Sequence, residues 1–181
     1  MRTLLLGLLL FALGWEAAEA QRRGGFGGFG PVFPVWTLRD LDPAYDGQPV
    51  VFFGQGALFL NNFYFGGGSG SASFYGKSRT LSKAHFDYGG FLVGYRYPIA
   101  PLVRIGAQLL LGGGELRLES GRTIELDERF YCLVPEFALG VTPSRWLLLE
   151  ARLGYFGALG SSTIAPLRKP QFALSAVFGT N

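Results

Sequence analysis

From Val50 onward, apolar and polar residues alternate with a period of two, and no window of eleven or more residues carries a capped helical stripe. Phe91, Val93, Tyr95 and Tyr97 fall on one strand face, opposite Leu92, Gly94 and Arg96. Val103, Ile105, Ala107, Leu109 and Leu111 oppose Arg104, Gly106 and Gln108, and Phe137, Leu139 and Val141 oppose Glu136, Ala138, Gly140 and Thr142. Leu147, Leu149, Ala151, Leu153 and Tyr155 then oppose Glu150, Arg152 and Gly154, and Phe172, Leu174, Ala176 and Phe178 oppose Gln171, Ala173 and Ser175. The pattern predicts strands over Val50–Leu60, Asn62–Tyr75, Ala84–Tyr97, Leu102–Leu118, Thr123–Thr142, Trp146–Gly157 and Pro170–Gly179.

Cross-strand neighbours share a face and their numbers sum to a constant, so two hairpin registers can be written down. Around Thr142–Arg145, pairing Val141 with Leu147, Leu139 with Leu149 and Phe137 with Ala151 also sets Glu136 opposite Arg152. Around Glu119–Arg122, pairing Leu118 with Ile124 and Leu116 with Leu126 brings Arg117 to Glu125, with Gly121 supplying a left-handed turn residue. Gly112-Gly113-Gly114 stands where the apolar phase passes from odd to even numbers, which predicts a bulge or sharp bend. Beyond it, Glu115 to Asp127 alternates with charges and is expected to meet water.

Period two alone fits either a soluble β-sandwich or a small transmembrane barrel, and the second strand face separates them. Gly94, Arg96, Arg104, Gly106, Gln108, Glu136, Ala138, Gly140, Glu150, Arg152 and Gly154 mix small groups with opposite charges. A solvated face carries more Thr, Lys and Ser, because exposed Gly only weakens a strand. A narrow barrel interior instead needs small residues beside paired charges. Tyr95, Tyr97, Trp146, Tyr155 and Phe156 lie near strand ends, as interfacial girdles require. The expected fold is all-β, an antiparallel meander closed as a small transmembrane-type barrel of about eight strands, with a soluble β-sandwich as the alternative.

Two segments precede this domain. Residues 1–20 place Arg2 before the apolar run Leu4–Leu13 and end in the small-X-small pattern Ala18-Glu19-Ala20, a secretory leader whose cleavage leaves Gln21 first. Residues 21–49 hold Arg22-Arg23-Gly24-Gly25-Phe26-Gly27-Gly28-Phe29-Gly30 and Pro31, Pro34, Pro43 and Pro49, which predicts an irregular Gly/Pro/Phe-rich arm. Within it, Leu38–Leu41 suits one helical turn, and a segment of 24–36 is available as an eighth strand. The barrel domain is placed at 50–181.

Composition narrows the function classes. With 49% hydrophobic residues the chain can build a core, and a net charge of +3 from scattered bases leaves no footprint for a nucleic-acid backbone. Cys132 is the sole cysteine, so it can form neither an intrachain disulfide nor a thiolate cluster.

The leader, the tight turns, the long charged hairpin and strands such as Pro135–Thr142 and Trp146–Tyr155 resemble those of small bacterial outer-membrane β-barrel proteins over roughly 50–178. Members of that class typically end in a strand with a terminal aromatic; here Phe178 is followed by Gly179-Thr180-Asn181. The resemblance implies an outer-membrane address, lipid as the partner of the apolar face, and a structural or surface-interaction role.

Candidate chemistry is sparse. His85 and Asp87 share a strand face and could seed a metal site or acid–base pair, although a hydrogen bond at a loop edge explains His85 as well. Glu136 and Glu150 could oppose one another as glycosidase carboxylates do, but pairing with Arg152 accounts for such charges. Gly66-Gly67-Gly68-Ser69-Gly70 and Gly76-Lys77-Ser78 lack the spacing of a phosphate loop, and Asn61-Asn62 suits a tight turn. No catalytic residue, metal ligand or cofactor is therefore assigned. The favoured expectation is a non-enzymatic outer-envelope barrel whose 115–127 hairpin contacts an envelope or extracellular protein. A periplasmic or secreted binding module and an envelope enzyme are the alternatives.

Overall fold

The structure, a computed structural model, describes residues 23–41, 48–75, 82–120, 123–160 and 162–179; the leader expected at 1–20 lies outside them. Eight strands follow in chain order: β1 (Arg23–Pro34), β2 (Val51–Leu60), β3 (Phe63–Tyr75), β4 (Ser82–Ala100), β5 (Val103–Ser120), β6 (Thr123–Ser144), β7 (Leu147–Leu159) and β8 (Lys169–Gly179). Each pairs antiparallel with the next, and β8 returns to β1, closing the barrel. A single helical turn, α1 (Leu38–Leu41), follows β1, and a 3-10 segment, Ser162–Leu167, precedes β8.

Three tight turns share one end of the barrel. Leu60 pairs with Phe63 across Asn61-Asn62, with Asn61 in the left-handed region at φ 60°, a conformation that Asn tolerates. The β4–β5 turn at Pro101-Leu102 and the β6–β7 turn at Arg145-Trp146 lie beside it, together with the start of β1 and the end of β8. The other end, here the loop end, carries α1 and the 3-10 segment.

The segment expected to be an irregular arm instead closes the barrel. Arg23–Pro34 forms β1, so the boundary between 49 and 50 does not separate two units. Glycine allows the approach: a Cβ on Gly30 would collide with the Leu174 carbonyl oxygen of β8. Proline is tolerated because the β1–β8 ladder is interrupted at Gly30 and Pro31, where a missing N–H costs no bond. The expected helical turn at Leu38–Leu41 is present. Thr37 N–H and Oγ1–H both donate to Asp40 Oδ2, at 2.7 and 3.2 Å, so the Asp40 side chain reaches back to cap the turn.

Both expected hairpin registers are displaced by two residues. Leu139 pairs with Ala151 and Phe137 with Leu153, so Glu136 faces Gly154 and Arg152 faces Ala138, with an irregularity between Val141 and Ser144. Leu118 pairs with Leu126 and Arg117 with Asp127, with the register shifting between Leu118 and Glu119; Gly121 lies outside the described residues. A shift of two keeps every side chain on its face, which is why alternation alone could not detect it. The bulge expected at Gly112–Gly114 is absent: Gly112, Gly113 and Gly114 pair in unbroken register with Gly90, Gly89 and Tyr88 on one side and with Cys132, Tyr131 and Phe130 on the other.

The interior is filled in two layers. Toward the short turns it holds Arg96, Gln108, Glu136, Glu150, Arg152 and Gln171, all buried. Toward the loop end it holds Trp36, Phe86, Tyr88, Leu116, Leu118, Phe130 and Phe156, also buried. Ile164 and Leu167 of the 3-10 segment are fully buried and close the top of this layer. Interior glycines supply the width. Gly94 lies under the Tyr64 ring and Gly114 under the Phe130 ring, where a Cβ would collide with the aromatic atoms.

Candidate functional site

The outer surface reverses character partway along the strands. On β6, Val141, Leu139, Phe137, Pro135, Leu133 and Tyr131 all face outward and are exposed, Phe137 and Tyr131 to about three-quarters of their surface. Ten residue steps along a strand tilted as in small membrane barrels give a band about 25 Å tall, the height of a hydrocarbon core. The neighbouring strands continue it: Tyr97, Val93 and Phe91 on β4, Ile105 and Leu111 on β5, Leu149, Leu153 and Leu159 on β7, and Phe172, Leu174 and Phe178 on β8 are exposed. Aromatics gather at its margins. Trp146 stacks on Phe178, which stacks on Phe29, and Phe63 meets Tyr95 edge-on with ring centres 4.7 Å apart. On the other margin Phe33 stacks on Phe172, and the Tyr155 hydroxyl donates to the Arg168 carbonyl at 2.9 Å.

Behind this band the interior is polar and cross-linked by ion pairs and hydrogen bonds. Arg96 donates from Nε and Nη2 to the two oxygens of Glu150, at 2.8 and 2.9 Å. Its guanidinium also lies 4.4 Å from the Phe26 ring centre and 4.7 Å from that of Tyr64. Glu136 accepts from Arg152 Nη1 at 3.2 Å, from Gln171 Nε2 at 2.9 Å and from Gln108 Nε2, and Tyr64 donates to Gln108 at 2.8 Å. Arg152 also donates to Gln55 Oε1 at 3.2 Å. The contact between Glu136 and Arg152 expected from direct opposition therefore forms diagonally, from positions two residues apart in the ladder. Glu136 is held by donors on β5, β7 and β8 and Glu150 by the bidentate Arg96 of β4, so each carboxylate is paired with an arginine and neither is poised as a glycosidase acid or nucleophile.

Past Tyr131 the outer face becomes charged while the interior becomes apolar. Outward residues there are Lys83, His85 and Asp87 on β4, Glu115, Arg117 and Glu119 on β5, and Asp127 and Arg129 on β6. Arg117 bridges Glu115 at 3.1 Å and Asp127 at 3.5 Å. Inside, Phe86 stacks on Phe130 at 5.9 Å and meets Phe156 edge-on at 5.6 Å, and Trp36 abuts Phe86 at 5.5 Å. The phase jump at Gly112–Gly114 marks this exchange of inside and outside; the strand itself runs straight through.

The extension is carried by the longest strands. β4, β5 and β6 have 19, 18 and 22 residues, against 10 to 13 in the other five. At about 3.3 Å per residue, β6 runs about 70 Å along its length, well over what the band needs. The sequence-derived hairpin at 115–127 is the outer part of this projection, and its tip at 121–122 lies outside the described residues.

His85 and Asp87 both point outward on β4. His85 Nδ1 is hydrogen-bonded to Ser73 Oγ of β3 at 2.9 Å, the partner that a strand-edge histidine finds locally. Among the described residues no three His, Cys, Asp or Glu side chains group as metal ligands. Cys132 is buried in the interior beside Gly112. Gly66–Gly70 lies within β3, where Gly68 and Gly70 lie beneath the interior rings of Phe53 and Tyr88; Gly76-Lys77-Ser78 lies outside the described residues. At the loop end, Lys169 Nζ meets Asp40 Oδ2 at 2.8 Å, tying α1 to β8. That ammonium and the Thr37 backbone N–H hold the Asp40 carboxyl below its ordinary pKa. Sequence reasoning missed this strap, since the pair is 129 residues apart.

No protein-family model matches the chain, and no curated protein does. Solved structures do match in fold. Ail, the attachment invasion locus protein of Yersinia pestis, superposes with a TM-score of 0.60 at 16% identity, covering 88% of this chain and 99% of Ail. Neisserial surface protein A gives 0.57 at 12% identity, covering 90% of this chain and 99% of its own. The N-terminal β-barrel domain of Pseudomonas aeruginosa OprF gives 0.56 at 11% identity, covering 88% and 98%. The chain thus has the eight-stranded antiparallel barrel fold of small bacterial outer-membrane proteins.

Proposed function

We propose that the protein is a non-enzymatic barrel of a bacterial outer membrane, with lipid around its apolar band and the extended β4–β6 rim held above the bilayer as a contact surface for an envelope or extracellular protein. One observation carries the reading: four charged side chains, Arg96, Glu136, Glu150 and Arg152, are buried while Phe137, Leu153 and Phe52 lie 74%, 63% and 69% exposed around them. In water this distribution is doubly unfavourable, because it leaves apolar area wet and withdraws charge from solvent. With hydrocarbon outside, both features fit the surroundings. The fold shared with Ail and with Neisserial surface protein A, a surface protein by its name, agrees with an envelope address. The projecting charged hairpin agrees with a role in contact.

Fractionation of cells expressing the full chain tests the address. The mature protein, beginning at Gln21, is expected with the outer membrane and runs on detergent gels at different mobilities before and after heating. Recovery in a buffer-soluble periplasmic or secreted fraction would sink the reading. The contact role is tested by shaving intact cells with protease: cleavage within 115–127 is expected, and full protection with the membrane intact would contradict exposure of the rim.

A further inference from the structure

Charge is segregated along the barrel axis. Among the side chains described, the surface carboxylates Asp40, Asp87, Glu115, Glu119, Asp127 and Glu128 all stand in the loop-end half. Glu136 and Glu150 are buried against arginines in the interior. Among the described residues, the short-turn end carries Arg104 and Arg145 and no surface side-chain carboxylate. An excess of fixed positive charge at one rim attracts anions to that rim alone.

That rim also has a shaped recess. Between the β4–β5 turn and the β6–β7 turn lies a cavity of about 380 Å³ lined by Arg104, Thr142, Ser144 and Arg145, with Pro101, Leu102 and Pro143 as its walls. Arg104 Nε–H donates to Thr142 Oγ1 at 3.2 Å, which orients the guanidinium along the wall. Ser144 Oγ is buried there with no hydrogen-bond partner. Two guanidinium groups and two hydroxyls, with no lining carboxylate, suit the tetrahedral oxygens of a phosphate. The recess sits at the edge of the apolar band, beside Leu102 and Trp146, which are 56% and 59% exposed.

We propose that this recess binds the phosphate of an anionic phospholipid in the leaflet at the short-turn end, with Arg145 and Arg104 as its charged contacts and Ser144 as a hydroxyl donor. Leu102 and Trp146 then pack against the glycerol and upper acyl segments. The proposal rests on the reading that the band faces lipid.

The test uses the folded full-length mature protein in a neutral detergent, first shown to be heat-modifiable on gels. It is offered equal amounts of phosphatidylglycerol and phosphatidylcholine with identical acyl chains, and native mass spectrometry reads what remains bound. Phosphatidylglycerol is expected to be retained in preference. Arg145→Gln is expected to weaken it about fivefold, the effect of removing one basic group near an anionic headgroup. Ser144→Ala weakens it less, and Arg129→Gln at the opposite rim leaves it unchanged. Equal retention of the two lipids, an Arg145→Gln protein that behaves as the parent, or inorganic phosphate binding as tightly as the lipid would each overturn the assignment. A barrel that passes the gel test yet shows no preference defeats only this proposal, whereas failure at the gel removes the membrane reading beneath it.

Discussion

The two halves of the barrel are built from the same strands and the same period of two, yet their insides and outsides are exchanged. In the short-turn half, Arg96, Glu136, Glu150 and Arg152 are inside and Phe137, Leu139 and Leu153 outside. In the loop-end half, Phe86, Phe130 and Phe156 are inside, and Asp87, Glu115, Arg117 and Arg129 are outside. On the proposed reading, one half is arranged for hydrocarbon surroundings and the other for water. The lesson is that alternation specifies two faces, while which face is apolar can change along a single strand.

The comparison can be broken most severely from within. Glu150→Ala leaves Arg96 charged and buried without its bidentate partner, and a loss of about 3–5 kcal/mol is expected in denaturant unfolding from lipid vesicles. Replacing Arg96 and Glu150 together by Met should recover most of that loss, since the pair then leaves no orphan charge. Phe156→Ala empties the apolar layer of the loop-end half, where the ring touches Phe86, Tyr88 and Phe130, and is expected to cost about 3–5 kcal/mol by cavity formation. Similar magnitudes from opposite chemistries would sharpen the contrast, and an Arg96–Glu150 pair removable one side at a time without loss would break it.

Outward positions give smaller and more diagnostic effects. Phe137→Arg, near the middle of the band, is expected to cost about 2–4 kcal/mol, the depth-dependent penalty of a charge facing lipid. Arg129→Phe, one turn of alternation beyond Tyr131, is expected to change stability by less than about 0.5 kcal/mol. Equal costs at the two sites, measured in the same vesicles, would mean that no boundary lies between them.

The smallest effect lies at the loop end. Because the Asp40 carboxyl has a lowered pKa in the folded state, its tie to Lys169 contributes above the unfolded carboxylate value and is lost as pH falls through the folded value. The pair is partly exposed, so less than about 1 kcal/mol is expected. Comparing the parent with Asp40→Asn, stability should differ at neutral pH and converge in acid. A difference that persisted below the folded value would remove the ion pair as its cause.

Seven strands were legible, and the faces of β4 to β8 with them, because apolar residues recur there at every second position opposite Gly, Arg and Glu. β1 was harder to recognise, since Phe26, Phe29 and Val32 are diluted by glycines needed for close approach to β8 and by Pro31, which sits at a break in that ladder. Hairpin register was legible only modulo two, because nothing in the alternation fixes where the irregularities between Val141 and Ser144 and between Leu118 and Glu119 fall. At Gly112–Gly114 the phase jump was visible but was read as a bulge or bend, and the unbroken register shows instead an exchange of polar and apolar faces along a continuous strand. The charges of the interior were legible as a set. Of their partners only Glu136 with Arg152 was legible, because Arg96 meets Glu150 across the barrel rather than along a neighbouring strand.

The boundary itself can be measured directly. In a Cys132→Ala background, single cysteines at the outward β6 positions from Asp127 to Val141 are labelled with a nitroxide, and oxygen and a water-soluble nickel complex are used as relaxing agents in reconstituted vesicles. Positions Leu133 to Leu139 are expected to be reached by oxygen and shielded from nickel, with nickel access returning at Arg129 and Asp127. Uniform nickel access along the whole of β6 would contradict a barrel whose surroundings change from hydrocarbon to water partway along its length.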